Sequence, residues 1–141
     1  MTDWDPEAFT RALVADMRAN NGAVTSGPMA GRPLLLLTTT GAKTGEERQA
    51  ILTYTRDGDR WVVAATKSGA PTNPAWYHNL RANPIVEVEA GGEAFKARAT
   101  ETGSDERERL WARHVEARPE FAEYPEKSGR IIPVITLERI G

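Results

Sequence analysis

Two short loops carry residue types that bind anions. GAKTGEER places Lys43, Thr44 and Arg48 among glycines, and TKSGAPTNP places Lys67, Ser68 and Asn73 beside Gly69. An ammonium, a guanidinium and a hydroxyl on a glycine-punctuated turn can hold a phosphate, because backbone N–H groups add directed hydrogen bonds to the charge. A short aromatic segment, Trp76, Tyr77 and His78, follows the second loop. Two cationic loops and an aromatic segment suit a long anionic ligand with a flat ring. The alternatives are an ordinary solvated connection for each loop and a core position for Trp76.

Other chemistries find little support. No G-x-G-x-x-G follows a strand pattern, and GAKTGEER lacks the upstream glycine of a Walker loop. His78 and His114 stand far apart with no cysteine in the chain, which argues against a metal site and excludes a thiol nucleophile. Ser/His/Asp catalysis has no local motif.

The elements that must position these loops are legible in part. Asp5 and Pro6 read as cap and first residue of a helix, with Trp4 and Phe9 as a hydrophobic staple. Phe9, Leu13 and Met17 share one face with Ala12 beside them, and the helix should stop near Asn20-Asn21-Gly22. This helix packs on a barrel or a dimer partner; the alternative is a membrane-surface helix, opposed by a polar face that is not strongly basic. Residues 22–33 hold three glycines and two prolines and read as a loop.

Residues 34–37, four leucines without alternation, predict a strand buried on both faces. Residues 48–56 and 60–66 predict a hairpin turned at Asp57-Gly58, with Tyr54 opposite Trp61. Asn73-Pro74 starts a helix that ends before Pro84. Val86 and Val88 alternate with Glu87 and Glu89, and a Gly91-Gly92 turn would set Glu87 against Lys96 and Val88 against Phe95. Ser104 caps a further helix with Leu110, Trp111, His114 and Val115 on adjacent positions. Pro119 opens a shorter turn bearing Phe121 and Tyr124, and residues 131–137 form a last strand in which Pro133 suggests an edge or irregular position. About six strands with peripheral helices predict an α+β protein on a small antiparallel barrel.

At 141 residues the chain is most simply one domain, residues 1–33 forming a helix and loop and 34–141 a barrel core. The net charge of −2 is uneven: residues 32–81 carry seven Lys/Arg against four acids, while the remainder is acidic. A basic middle in an acidic chain favours a local anionic ligand over a nucleic-acid surface. No apolar run reaches the roughly 20 residues of a membrane span. MTDWDPEAF lacks a basic region before an apolar one, which predicts no signal peptide and a cytoplasmic protein.

Four pieces in order, TTTGAKTGEER, VVAATKSGAP, NPAWYHNLRANP and YPEKSGRIIPVITL, cover residues 34–137. They resemble the deazaflavin (coenzyme F420)-dependent nitroreductase family, the small split β-barrel oxidoreductases of actinobacteria. The resemblance implies a flavin-reductase-like split barrel and F420 as cofactor. It implies that Ala42, Lys43, Thr44, Arg48 and Lys67 contact the phosphodiester and oligoglutamate tail. It implies that Gln49, Ala50, Ile51, Leu52 and Thr53, with Ala64, Ala65 and Thr66, run along the ring. Ala75, Trp76, Tyr77, His78 and Asn79 match a cofactor-lining helix start. Among these, Tyr77 and Asn79 suit polar contacts, while His78 reads as structural. Tyr124 matches a tyrosine over the ring and is the candidate catalytic residue. Phe121 and Lys127 stand where nitro-drug-activating relatives carry further tyrosines, which counts against nitroimidazole reduction. The implied activity is hydride transfer from reduced F420 to an electron-poor small molecule, a quinone, an enone or a nitro compound. The rivals are an FMN-dependent split-barrel reductase or oxidase and a non-catalytic F420 carrier. A homodimer is expected by analogy with small split barrels.

Overall fold

The computed structural model describes residues 6–20, 33–65, 73–123, 129 and 131–140; within these, the side chains of 6–10 and 120 are left undescribed. The expected cap at Asp5, the Trp4–Phe9 staple, residues 22–32 of the expected loop, the cationic loop with Thr66, Lys67 and Ser68, and Tyr124 lie outside that set.

The chain runs α1 (Pro6–Ala19), β1 (Leu34–Thr40), β2 (Glu47–Thr53), β3 (Thr55–Asp57), β4 (Arg60–Ala64), α2 (Ala75–Ala82), β5 (Ile85–Ala90), β6 (Glu93–Glu101), α3 (Ser104–Ala117), a 3₁₀ turn (Pro119–Glu123) and β7 (Val134–Arg139). One antiparallel sheet takes the order β2-β1-β5-β6-β7-β4-β3. Its two outer strands, β2 and β3, are consecutive in the chain and separated by Tyr54 alone. A sheet whose opposite edges are joined by one residue has to curl back on itself, and the result is a half-barrel in an α+β protein.

That joint corrects the sequence expectation of about six strands. Residues 48–56 do not form one strand. β2 ends where its partner β1 begins, at the pair Leu34↔Thr53. The Tyr54 N–H then donates to Pro33 O (3.0 Å), and the chain crosses to β4. The hairpin turn also sits one residue later than expected. Asp57 pairs with Arg60, leaving Gly58 (φ +60) and Asp59 at the turn. Trp61 therefore faces Arg56 instead of Tyr54, and the Arg56 guanidinium lies 4.1 Å from the Trp61 ring centroid. Asp57 is held in the strand by side chains: it accepts from Arg60, from Arg109 (3.1 and 3.2 Å) and from Arg113 (3.0 Å).

Leu34, Leu35, Leu36 and Leu37 are all buried, as a strand covered on both faces requires. Leu35 and Leu37 enter the barrel core with Val63, Val88, Ala97, Ile135 and Leu137. Leu34 meets Leu13 and Met17 of α1 on the other side. Val14 is buried beside them while Ala12, expected on that face, is exposed. The described apolar face of α1 thus packs on the sheet. Among the described residues no helix is long and apolar enough to cross a membrane.

The β5–β6 hairpin has the expected register, Glu87↔Lys96 and Val88↔Phe95, around Gly91 (φ +58) and Gly92 (φ +84). β7 is interior, between β6 and β4, and not an edge. Pro133 precedes it, so its missing N–H breaks no ladder bond, and its carbonyl accepts from Ala65 N–H (2.9 Å). The helix caps fall one residue before or after the expected ones: Pro74 for α2 and Gly103 for α3, neither with a side-chain cap. Leu110 of α3 packs with Val62 and Val134, and Phe121 of the 3₁₀ turn with Ala64 and Ile132. His114 is fully buried, its Nδ1 3.1 Å from Thr55 Oγ1 and its ring edge-to-face with Phe121.

Candidate functional site

The turn between β1 and β2 is shaped by its glycines. Gly41 N–H donates to Glu46 O (2.7 Å), Gly45 N–H to Gly41 O (2.9 Å), and Glu46 N–H to Thr44 Oγ1 (3.2 Å). A Cβ at Gly41 would stand 2.8 Å from Thr44 Oγ1 and 3.1 Å from the Glu46 carbonyl, and Gly45 has φ +73. The turn in this form accepts no larger residue at 41 without opening. It presents Ala42, Lys43 and Thr44 to solvent. Lys43 makes no ion pair among the described residues. Arg48, at the start of β2, pairs with Glu46 Oε2 (3.1 Å), both side chains more than half exposed. Such a pair contributes about 0–1 kcal/mol and is readily exchanged for another anion. Glu46→Gln should therefore raise the affinity for a phosphate-bearing ligand about two- to threefold, measured by titration at low salt. A fall in affinity would mean that Glu46 orients Arg48 instead of competing for it.

β2 divides its side chains by the period of two. Ala50 and Leu52 pack against the barrel core and Ile51 against Leu13, Met17 and Leu34. Arg48 is on the side of Ala50 and Leu52, opposite Thr39. Gln49 lies with Ile51 and Thr53 on the α1 side, lining a separate cleft of about 340 Å³ with Arg18, Thr38, Glu87, Glu89 and Lys96. The expected run from Gln49 to Thr53 thus presents two faces, and a ligand on the α2 side meets the side chains of Ala50 and Leu52. β2 pairs only with β1 among the described strands, so its outer edge offers backbone donors and acceptors.

α2 packs on β1 and on the core-facing side of β2. Trp76 and Leu80 are in the barrel core with Leu37, Ala50 and Leu52, which settles Trp76 as a core residue. Ala75 and His78 are exposed; His78, expected as structural, meets the Tyr77 ring edge-on at 5.5 Å. Tyr77 is buried, and its hydroxyl donates to Glu101 Oε1 (2.6 Å). Burial, then the adjacent Glu101 carboxylate, pushes the Tyr77 phenol upward. Asn79 is buried too. It accepts the Ala42 N–H on Oδ1 (3.0 Å) and donates through Nδ2 to Thr39 Oγ1 (3.2 Å). Both residues expected to offer polar contacts to a ligand are therefore engaged with the protein. Ala64 and Ala65 are buried, Ala64 against Phe121 and Ile132, Ala65 in the barrel core.

The structure brings together the 41–46 turn, Arg48, Ala50 and Leu52 of β2, and the first turns of α2, with the end of β4 in the same core. Alternation along β1 places Thr39 on the inward side with Leu35 and Leu37, a signal in the sequence for the partner that Asn79 finds. The donor set fits an anionic, tailed cofactor: two exposed cations, a hydroxyl and the backbone amides of Lys43 and Thr44, the turn's other amides being spent within the protein. Among the described residues no group of three or more His, Asp or Glu could hold a metal ion.

The chain is similar to known proteins. A family model described as F420H(2)-dependent quinone reductase matches residues 9–139. An F420H(2)-dependent quinone reductase of Mycobacterium tuberculosis is 40% identical over 125 residues, covering 86% of this chain and 84% of that protein. A solved F420-H2 dependent reductase, FDR-A, is 42% identical with a TM-score of 0.70, covering 76% of this chain and 95% of its own. A chain solved as a domain-swapped dimer is 35% identical with a TM-score of 0.72, covering 95% of this chain and 100% of its own.

Proposed function

The chain belongs to the F420H(2)-dependent quinone reductase family, and from that premise we propose that it reduces a quinone-type acceptor with F420H2 held along the 41–46 turn, β2 and α2. One observation carries the placement: Lys43 and Arg48 are exposed on a glycine-shaped turn that a buried side chain of α2 holds in place. Lys43, Thr44 and Arg48, with the amides of Lys43 and Thr44, bind the phosphodiester and oligoglutamate tail, and Lys67 adds charge to them. Ala50, Leu52 and Ala75 at the start of α2 offer the ring an apolar border, with Ala65 buried in the core behind them. When bound, reduced F420 supplies a hydride and two electrons together. The chain's part is to orient the ring, exclude bulk water and leave one face open to the acceptor.

Quinones head the acceptor class and activated enones follow. The Tyr124 hydroxyl orients the acceptor or gives it a proton. Tyr124→Phe should lower kcat about tenfold while changing F420 affinity less than twofold. Equal losses in both would make Tyr124 a cofactor contact. We read the protein as a single cytoplasmic domain able to work as a homodimer, in line with the domain-swapped relative.

The experiment is a parallel equilibrium titration of F420 and FMN, followed by tryptophan fluorescence, then turnover with a quinone. Tight F420 binding, weak FMN binding and quinone reduction support the reading. Preference for FMN keeps the fold and removes the cofactor assignment. F420 binding without turnover on any electron-poor acceptor makes the protein a carrier.

A further inference from the structure

We propose that Asn79 is a positioning residue that locks the Lys43-bearing turn onto α2 and β1, and so sets the affinity for a ligand's anionic tail through the placement of Lys43 and Arg48. The inference rests on the reading of that turn as the tail site.

The geometry is a three-way bridge. Asn79 Oδ1 accepts the Ala42 N–H, one residue before Lys43, and its Nδ2 donates to Thr39 Oγ1. The orientation of the amide is fixed by chemistry, since a backbone N–H can only donate and must face the oxygen. Thr39 in turn donates to the Arg48 carbonyl at 3.5 Å. One buried amide therefore reaches the backbone next to Lys43 directly and the backbone of Arg48 through one hydroxyl. The turn's other hydrogen bonds, among Gly41, Thr44, Gly45 and Glu46, fix its internal shape but stay within it. The Ala42–Asn79 bond leaves the hairpin and sets where the turn stands.

Most of Asn79 is committed to the protein in this arrangement: one of its two Nδ2 hydrogens goes to Thr39 and its oxygen to Ala42. The residue is 7% exposed. Losing it would not collapse the turn, because Ala42 is exposed and water can replace the lost acceptor. The consequence is a turn free to move, and cations that move pay entropy on each binding event.

The test uses two readouts. The first is amide hydrogen exchange by NMR on the ligand-free protein. Asn79→Ala should speed exchange at Ala42 about tenfold and leave Ala97 in β6 unchanged. Asn79→Asp keeps an acceptor at the same place and should restore Ala42 protection. The second is affinity for F420 beside its deazaflavin–ribityl fragment, which lacks phosphate and glutamates. Asn79→Ala should weaken F420 about tenfold and the fragment less than twofold. Thr39→Val, isosteric at a 1% exposed site, should give a smaller loss of the same kind and keeps the test open if Asn79→Ala does not fold. Unchanged exchange at Ala42 overturns the inference. Equal losses for F420 and the fragment overturn it as well, since Asn79 would then act on the ring or the core. If the native protein binds both ligands equally, the tail reading of the turn fails, and the ligand half of this inference fails with it while the exchange data still report on the bridge.

Discussion

Replacing Lys43 and Arg48 together by alanine is expected to weaken F420 binding by 10²–10³-fold. A hydrogen bond to a charged group contributes about 1.5–3 kcal/mol, and each 1.4 kcal/mol is a factor of about ten. Both side chains are exposed, so neither is held by burial, and the free-protein fold should be unaffected. The size of the effect comes from the ligand. A phosphodiester followed by carboxylates offers both cations partners that ring-only compounds lack. Arg48 must first release Glu46, a weak exposed contact, so little of its interaction is lost in the exchange. The native affinity should fall as salt rises and that of the double variant should be much flatter. Titration against F420 at two ionic strengths measures all of this. Unchanged affinity would falsify the anionic-tail reading and leave both residues as solvated turn charges.

Asp57→Asn should destabilise the fold by about 2–3 kcal/mol at neutral pH. The carboxylate accepts from Arg109, Arg60 and Arg113, tying the β3–β4 turn to α3, with 16% of its side chain exposed. The Arg109 guanidinium first, then Arg60, holds its pKa well below the ordinary 3.8, against the opposing effect of burial. The sign follows from the lowered value. The unfolded state binds a proton at a pH where the folded state still refuses one, so the contribution is complete above about pH 4 and is lost as pH falls through the folded value. Denaturant midpoints of native and variant proteins should be far apart at pH 7 and converge as the pH drops from about 4 towards 2. A constant gap across that range would mean that Asp57 acts through shape alone. Asn keeps the size of the side chain and removes the charge, so the network's arginines are left facing one another across the turn.

Much of the architecture was legible because it depends on neighbours in sequence. The leucine run at 34–37 could only be a strand covered twice, and Gly91-Gly92 fixes the β5–β6 register because two consecutive positive φ values admit one tight turn. The spacing of Leu110, Trp111, His114 and Val115 drew the packed face of α3. The turn at 41–46 was legible for the same reason: its glycines and its donors are adjacent in the chain.

What failed depends on contacts across the fold. Residues 48–56 look like one β run, and nothing local says that β1 runs out at Thr53 or that the next residues belong to the other side of the sheet. The turn at Gly58-Asp59 moved because Asp57 is held by arginines 52 and 56 residues away in two of its three contacts. Pro133 suggested an edge or an irregular position; β7 is central, and the proline falls just outside its ladder, so the second alternative holds.

The site divides along the same line. Sequence by itself determined the chemistry on offer: two cations, a hydroxyl and glycines in one turn, and the family pattern that names a deazaflavin. Tertiary structure decided which of those groups are free to use it. Gln49 and Ala50 are neighbours in the chain but face opposite sides of β2, and Tyr77 and Asn79 find partners in Glu101, Ala42 and Thr39 that lie far from them in the chain. The physical reason is that a polar side chain's partner is set by what the fold brings within about 3 Å of it, and that distance is not written in local spacing.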